Sequence, residues 1–167
     1  IEVVCILGLV PVLVDIDPLT FNLDPKKIEG ALSSKTKLII PVHLFGQNSD
    51  MESIMDMANK NNIFVIEDVA QSINASITFS NKKKYNSGTI GNIGCFSFFP
   101  TKNLSCYGDG GAIITNNSSL AKKISMIKNH GQTKKYFHNI IGMNSRLDTL
   151  QAAILNIKLK YLNKENL

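Results

Sequence analysis

The chain has no tryptophan, three cysteines and five prolines in 167 residues. None of its apolar runs approaches the roughly 20 residues that a membrane-spanning helix requires. The cysteines, Cys5, Cys95 and Cys106, show no CxxC spacing. A disulfide framework is therefore not expected, and the odd count suits a reducing compartment such as the cytoplasm. Each cysteine reads as a small buried hydrophobe. His43, His130 and His138 lie too far apart in sequence to suggest a metal site, so no metal is expected. The turn Gly108-Asp109-Gly110-Gly111 lacks GxGxxG or GKS/GKT context and reads as a turn into a strand, not a phosphate cradle. The opening residues, Ile1 to Leu7, are apolar but lack a basic lead-in and an initiator Met. They read as the interior of a longer protein, not as a signal peptide.

Charge is sparse and mildly unbalanced. Charged residues make up 19% of the chain, with a formal net charge of +5. Lys82-Lys83-Lys84 lies between Ser80-Asn81 and Asn86-Ser87-Gly88 and reads as an exposed loop. Without interleaved aromatics or further basic runs, nucleic acid is not an expected partner. A mildly basic surface still favours anionic ligands.

An apolar content of 44% is that of a folded globular domain, and the length allows one proper core. Short apolar runs alternate with helical periodicity. Val10–Ile16, Lys37–Val42, Ile63–Ile66, Gly94–Phe98 and Ala112–Thr115 read as strands. Asp24-Pro25 opens one helix and Asp50 caps another, over 50–58. Further helices are expected over Ser119–Asn129 and from about Ser145 to Leu162. Uncharged strands between amphipathic helices imply an α/β fold with a mostly parallel sheet covered on both faces. The expected division is a partial large domain over 1–143, then a helix over 144–167 leading towards a smaller domain.

Two charged residues stand out. Lys102 follows the run Phe96-Ser97-Phe98-Phe99-Pro100-Thr101, and Asp68 ends the run Ile63-Phe64-Val65-Ile66-Glu67. Ligands of such sheets bind at the carboxyl ends of strands. A lysine and an aspartate there suit pyridoxal 5'-phosphate (PLP): the amine bonds the aldehyde and the carboxylate keeps the pyridine nitrogen protonated. The plainer alternatives are a solvated lysine and a helix-capping aspartate.

Ordered motifs along the whole chain narrow the choice. They are Pro11–Asp17, Asn22–Pro25, Ile40–Gln47, Ile66–Gln71, Phe96–Leu104, Gly108–Ala112, His130-Gly131, Gly142–Asp148 and Leu150–Ala153. In these the chain resembles the DegT/DnrJ/StrS family of PLP-dependent sugar aminotransferases. The resemblance implies the three-layer α/β/α large domain of fold-type-I enzymes. It also implies transamination of a nucleotide-diphosphate keto-sugar by an amino-acid donor, glutamate most often, giving an amino sugar for surface polysaccharide or secondary metabolites.

Matched position by position, the resemblance makes Lys102 the Schiff-base lysine and proton carrier, and Asp68 the pyridinium partner. Ala70 would lie against one ring face, Gln71 would reach the cofactor near its ring hydroxyl, and Ser97 would contact the phosphate. Asn144 would reach the cofactor of a neighbouring subunit, which implies a homodimer with a shared site; otherwise it is a helix N-cap. His43 faces substrate or is bonded within its own turn.

The chain departs from the family pattern in length, in Asn74 where glycine is usual, and in a long Lys82–Gly88 segment. Asn tolerates positive φ, so the turn at Asn74 is expected to survive. Three other readings stay open. A sugar 3-dehydratase relative is opposed by Lys102, because those enzymes carry histidine there. A non-catalytic binding, regulatory or truncated homologue is opposed by the joint presence of Asp68, Gln71, Ser97 and Lys102. A β-lyase of the same fold type is opposed by Asn144–Asp148 and Val42–Gln47.

Overall fold

The computed structural model describes residues 1–166. Its helices are α1 (Glu2–Ile6), α2 (Pro25–Ala31), α3 (Met51–Lys60), α4 (Ser118–Ile127), α5 (Thr149–Lys158) and α6 (Leu162–Glu165). Its strands are β1 (Leu38–Ile39), β2 (Phe64–Asp68), β3 (Ser76–Thr78), β4 (Lys84–Asn86), β5 (Ile93–Ser97), β6 (Gly111–Ile114), β7 (Gln132–Lys134) and β8 (Phe137–His138). A four-stranded sheet runs in the order β1-β2-β5-β6. The β1–β2 and β2–β5 pairs are parallel and β5–β6 is antiparallel, so the fold is α/β with a mostly parallel sheet.

Local chemistry explains the helices that the sequence announces. Asp24 accepts from Lys26 N and Pro25 occupies the first helical turn, so α2 starts where its cap dictates. Asp50 accepts from Ser53 N at the head of α3. Helices α2 and α3 bring Ile28, Met51, Ile54 and Ala58 against Ile39 and Val65 of the sheet. A second cluster joins Phe98, Leu104 and Cys106 to Leu155 and Leu162.

Register decides which side chains share a face, because paired residues in neighbouring strands point the same way. Glu67 pairs with Gly94, which pairs with Ile114. Asp68 pairs with Cys95, which pairs with Ile113. Val65 and Glu67 are buried on one face, whereas Phe64 is 60% exposed on the other. Helices α2 and α3 cover the Val65 face, and the Asp68 face is open among the described residues.

Other expectations also change. Val10–Ile16 is not a strand: only Ile16 pairs, in a single antiparallel bridge to Leu23, and Val10, Val12 and Leu13 are exposed. The chain turns at once at Asp17, whose Oδ1 accepts from Leu19 N and Thr20 N. The expected loop at Lys82–Lys84 contains the start of β4, paired antiparallel with β3. The helix expected from Ser145 begins only at Thr149, after an extended Asp148, and breaks beyond Lys158. There the chain is drawn back: Asn166 donates to Ile73 O (3.2 Å) and accepts from Asn103 Nδ2 (2.8 Å). Of the cysteines, Cys106 is buried, Cys95 is half-buried and Cys5 is exposed, so the buried-hydrophobe reading fails for Cys5. Asn74 adopts φ +67°, and the turn survives without glycine. No helix among the described residues is long and apolar enough to cross a membrane.

Candidate active site

Asp68 is the last residue of β2 and is half-buried on the open face. Backbone bonds fix its place: its N–H donates to Pro41 O (2.9 Å), and its C=O accepts from His43 N (3.0 Å). Its Oδ1 accepts from Ala70 N (3.0 Å). Among the described residues no other hydrogen bond reaches this carboxylate, which leaves Oδ2 ready to accept from a protonated ring nitrogen. Cys95 lies across from it, and burial together with the Asp68 charge pushes the Cys95 thiol above its ordinary range.

Ser97 ends β5 two residues after Cys95, so the register puts Asp68 and Ser97 on the same face. Ser97 Oγ accepts from Phe99 N (3.3 Å), which leaves its O–H available to a phosphate oxygen. From there the chain turns through Pro100 to Lys102, whose N–H bonds Phe99 O (2.9 Å). Gln71 follows the turn after Asp68, and its Oε1 accepts from Phe45 N (3.1 Å).

An open cleft of about 780 Å³ brings Lys102 and Gln71 together with Phe45, Asn74, Asn103 and Asn166. Asp68, Ala70 and Ser97 are not among the residues that line it. Asn144 is placed elsewhere. It is exposed and pairs with Asn129 in an antiparallel bridge. Its alternative role as a helix N-cap is excluded, because α5 begins only at Thr149.

Phe45 is a second feature of the cleft. It holds φ +56°, a left-handed conformation uncommon outside glycine and asparagine, and is 77% exposed. Its ring meets Phe21 edge to face, with centroids 6.5 Å apart.

The structure also shows a buried pair that sequence reasoning left unassigned. Glu67 and His43 are both 0% exposed, and Glu67 Oε2 lies 2.9 Å from His43 Nε2. Ser49 N–H donates to His43 Nδ1 (3.1 Å), so Nδ1 carries the lone pair and Nε2–H donates to Glu67. His43 is thus bonded within the protein and does not face the cleft. Glu67 accepts three further backbone bonds, from Gly88 (2.8 Å), Ile90 (2.7 Å) and Gly91 (2.6 Å). Burial alone would raise the Glu67 pKa, but the bonds from His43 and these amides outweigh it and hold the group below its ordinary value of 4.5. The available signal was a carboxylate one residue before Asp68, at a strand position whose alternation points to the core.

The sequence pattern of the DegT/DnrJ/EryC1/StrS aminotransferase family matches residues 1–167. The chain belongs to the DegT/DnrJ/EryC1/StrS aminotransferase family. It is 52% identical over 164 residues to the UDP-2-acetamido-2-deoxy-3-oxo-D-glucuronate aminotransferase of Pseudomonas aeruginosa, covering 98% of this chain and 44% of that relative. It is also 52% identical over 160 residues to the pleiotropic regulatory protein of Geobacillus stearothermophilus, covering 94% of this chain and 41% of that one. A crystal structure of a family aminotransferase from Brucella abortus superposes with a TM-score of 0.88 at 39% identity, covering 98% of this chain and 44% of that one. S. venezuelae DesV, solved in complex with a ketimine intermediate, gives 0.88 at 36% identity, covering 98% and 43%. This DegT/DnrJ/EryC1/StrS chain spans less than half the length of these relatives, and its α/β architecture is that of fold-type-I aminotransferases.

Proposed function

We propose that the protein carrying this chain is a PLP-dependent aminotransferase that aminates a keto-sugar nucleotide with an amino-acid donor, glutamate by expectation. The observation that supports this reading is Asp68 at the end of β2, with Oδ2 unbonded among the described residues, beside β5, whose following turn carries Lys102. Bound there, PLP supplies an electron sink for the carbanion formed at the donor's α-carbon. Asp68 keeps the ring nitrogen charged through Oδ2. Ser97 O–H holds a phosphate oxygen, Ala70 lies against the ring, and Gln71 reaches towards the ring hydroxyl from a side chain already braced on Phe45 N. Lys102 Nζ would hold the cofactor through its aldehyde, and its free amine would carry the proton between the donor and cofactor carbons. Asn144, which does not line the cleft of its own chain, would serve the cofactor of a second copy in a homodimer. The amino-sugar product suits surface polysaccharide or secondary-metabolite synthesis in the cytoplasm.

A regulatory reading has support from relatives' names, including the Geobacillus protein and, at 39% identity over 159 residues, the erythromycin biosynthesis sensory transduction protein EryC1 of Saccharopolyspora erythraea. The presence of Lys102 in the cleft favours the enzyme. The test is an absorbance spectrum of the full-length protein after PLP addition, with Lys102→Ala beside it. A visible band that borohydride fixes onto Lys102 and that glutamate bleaches is expected. Absence of any band in the wild type refutes the reading.

A further inference from the structure

We propose that Glu67 and His43 form a buried positioning pair that holds Asp68 and Gln71 in place for the cofactor, an inference that rests on the PLP reading above. Glu67 is adjacent to Asp68 but points to the opposite face of the sheet, so it does not itself meet the cofactor. Its four hydrogen bonds gather three segments. They are the turn at Gly88–Gly91, the strand end of β2, and the turn that starts at His43.

The His43 turn is then tied twice to the residues of the site. His43 N–H donates to Asp68 O, and Phe45 N–H donates to Gln71 Oε1. Through His43, the Glu67 carboxylate therefore fixes the backbone that carries Asp68 and the bond that orients Gln71.

The residue type fits the task. A carboxylate offers about four lone-pair sites and no donor, so it receives four N–H groups without conflict. Glutamine at this position turns its NH2 either against Gly88 N–H and His43 Nε2–H or against Ile90 and Gly91 N–H. A well-packed apolar residue would often serve stability as well as a buried, hydrogen-bonded carboxylate. The retained charge is explained by the geometry it imposes on the β2 end.

The test is a double-mutant cycle on PLP affinity in the full-length protein, read by absorbance titration, with circular dichroism to establish that each variant is folded. Glu67→Gln, whose NH2 faces two of the four N–H donors, is expected to weaken PLP binding about tenfold as the His43 turn and the β2 end lose their anchor. In an Asp68→Asn background the same substitution is expected to change affinity little, because the pair acts through Asp68. A folded Glu67→Gln with unchanged affinity, or equal weakening in both backgrounds, overturns the inference. If Glu67→Gln does not fold, His43→Asn, which removes only one of the four bonds on Glu67, is judged by the same criteria. A wild type that shows no PLP band overturns the functional reading and this inference together. A wild-type band with an additive cycle overturns this inference alone.

Discussion

Gly94→Ala tests whether the Glu67 cluster is as tightly built as its distances indicate. Gly94 lies in the middle of β5, between Glu67 on β2 and Ile114 on β6. A methyl group there would overlap Gly88 O and stand 2.6 Å from its Cα and 2.8 Å from its carbonyl carbon. All three are backbone atoms, so no rotamer change relieves the clash. Reaching ordinary contact moves the Gly88 peptide by about 1 Å, since well-packed carbon atoms sit at about 3.5 Å or more. The bond from Gly88 N to Glu67 Oε2, now 2.8 Å, then passes beyond hydrogen-bonding range. Overpacking costs about 1–3 kcal/mol. A lost bond to a buried charge adds about 1.5–3 kcal/mol. We expect a destabilisation of about 3–5 kcal/mol in urea denaturation, with the m-value unchanged. Gly30→Ala is the control: Gly30 lies in α2 with nothing within 4 Å of an added methyl, and is expected to stabilise by about 0.5–1 kcal/mol. A loss below about 1 kcal/mol for Gly94→Ala would refute the reasoning.

The remaining expectations concern single groups. Asp50→Ala removes the acceptor for Ser53 N at the head of α3 and is expected to cost about 1 kcal/mol, read as a shift in the denaturation midpoint. Glu67 has a folded-state pKa below its ordinary 4.5, so its stabilisation is complete above that value and is lost as pH falls through the folded value. Stability measured at stepped pH is therefore expected to fall more steeply for wild type than for Glu67→Gln below pH 4.5; parallel curves would count against an ionised Glu67. Lys102→Ala is expected to abolish the borohydride-fixed PLP adduct while leaving the fold intact, which mass spectrometry and circular dichroism check.

What could be read from the sequence was what is decided locally. Helices α2 and α3 were legible because Asp24-Pro25 and Asp50 carry their own start signals. Strands β2 and β5 were legible as apolar runs, and with them the turns bearing Asp68 and Lys102. Val10–Ile16 misled because a strand exists only where a neighbour completes its hydrogen bonds, and only Ile16 finds one. The β3–β4 hairpin was hidden by Lys82–Lys84, whose charges suit a solvated loop as well as an exposed ribbon. Glu67 went unassigned because its backbone partners lie 21 to 24 residues further on, beyond any local pattern. The Asp68–Ser97 alignment likewise depends on a β2–β5 register that spacing alone does not specify.

The same sequence separation has a consequence for synthesis on the ribosome. Strand β2 emerges well before Gly91, the most distant of the Glu67 partners, which is 24 residues away. At about 5–20 residues per second, translation leaves the segment Phe64-Val65-Ile66 without its β5 neighbour for about a second or longer. Glu67 and Asp68 stand at the end of that β-prone run. During the interval both are hydrated charges, and they act as gatekeepers against intermolecular strand pairing. The two carboxylates thus protect the nascent chain before β5 and the Gly88–Gly91 turn close over one of them.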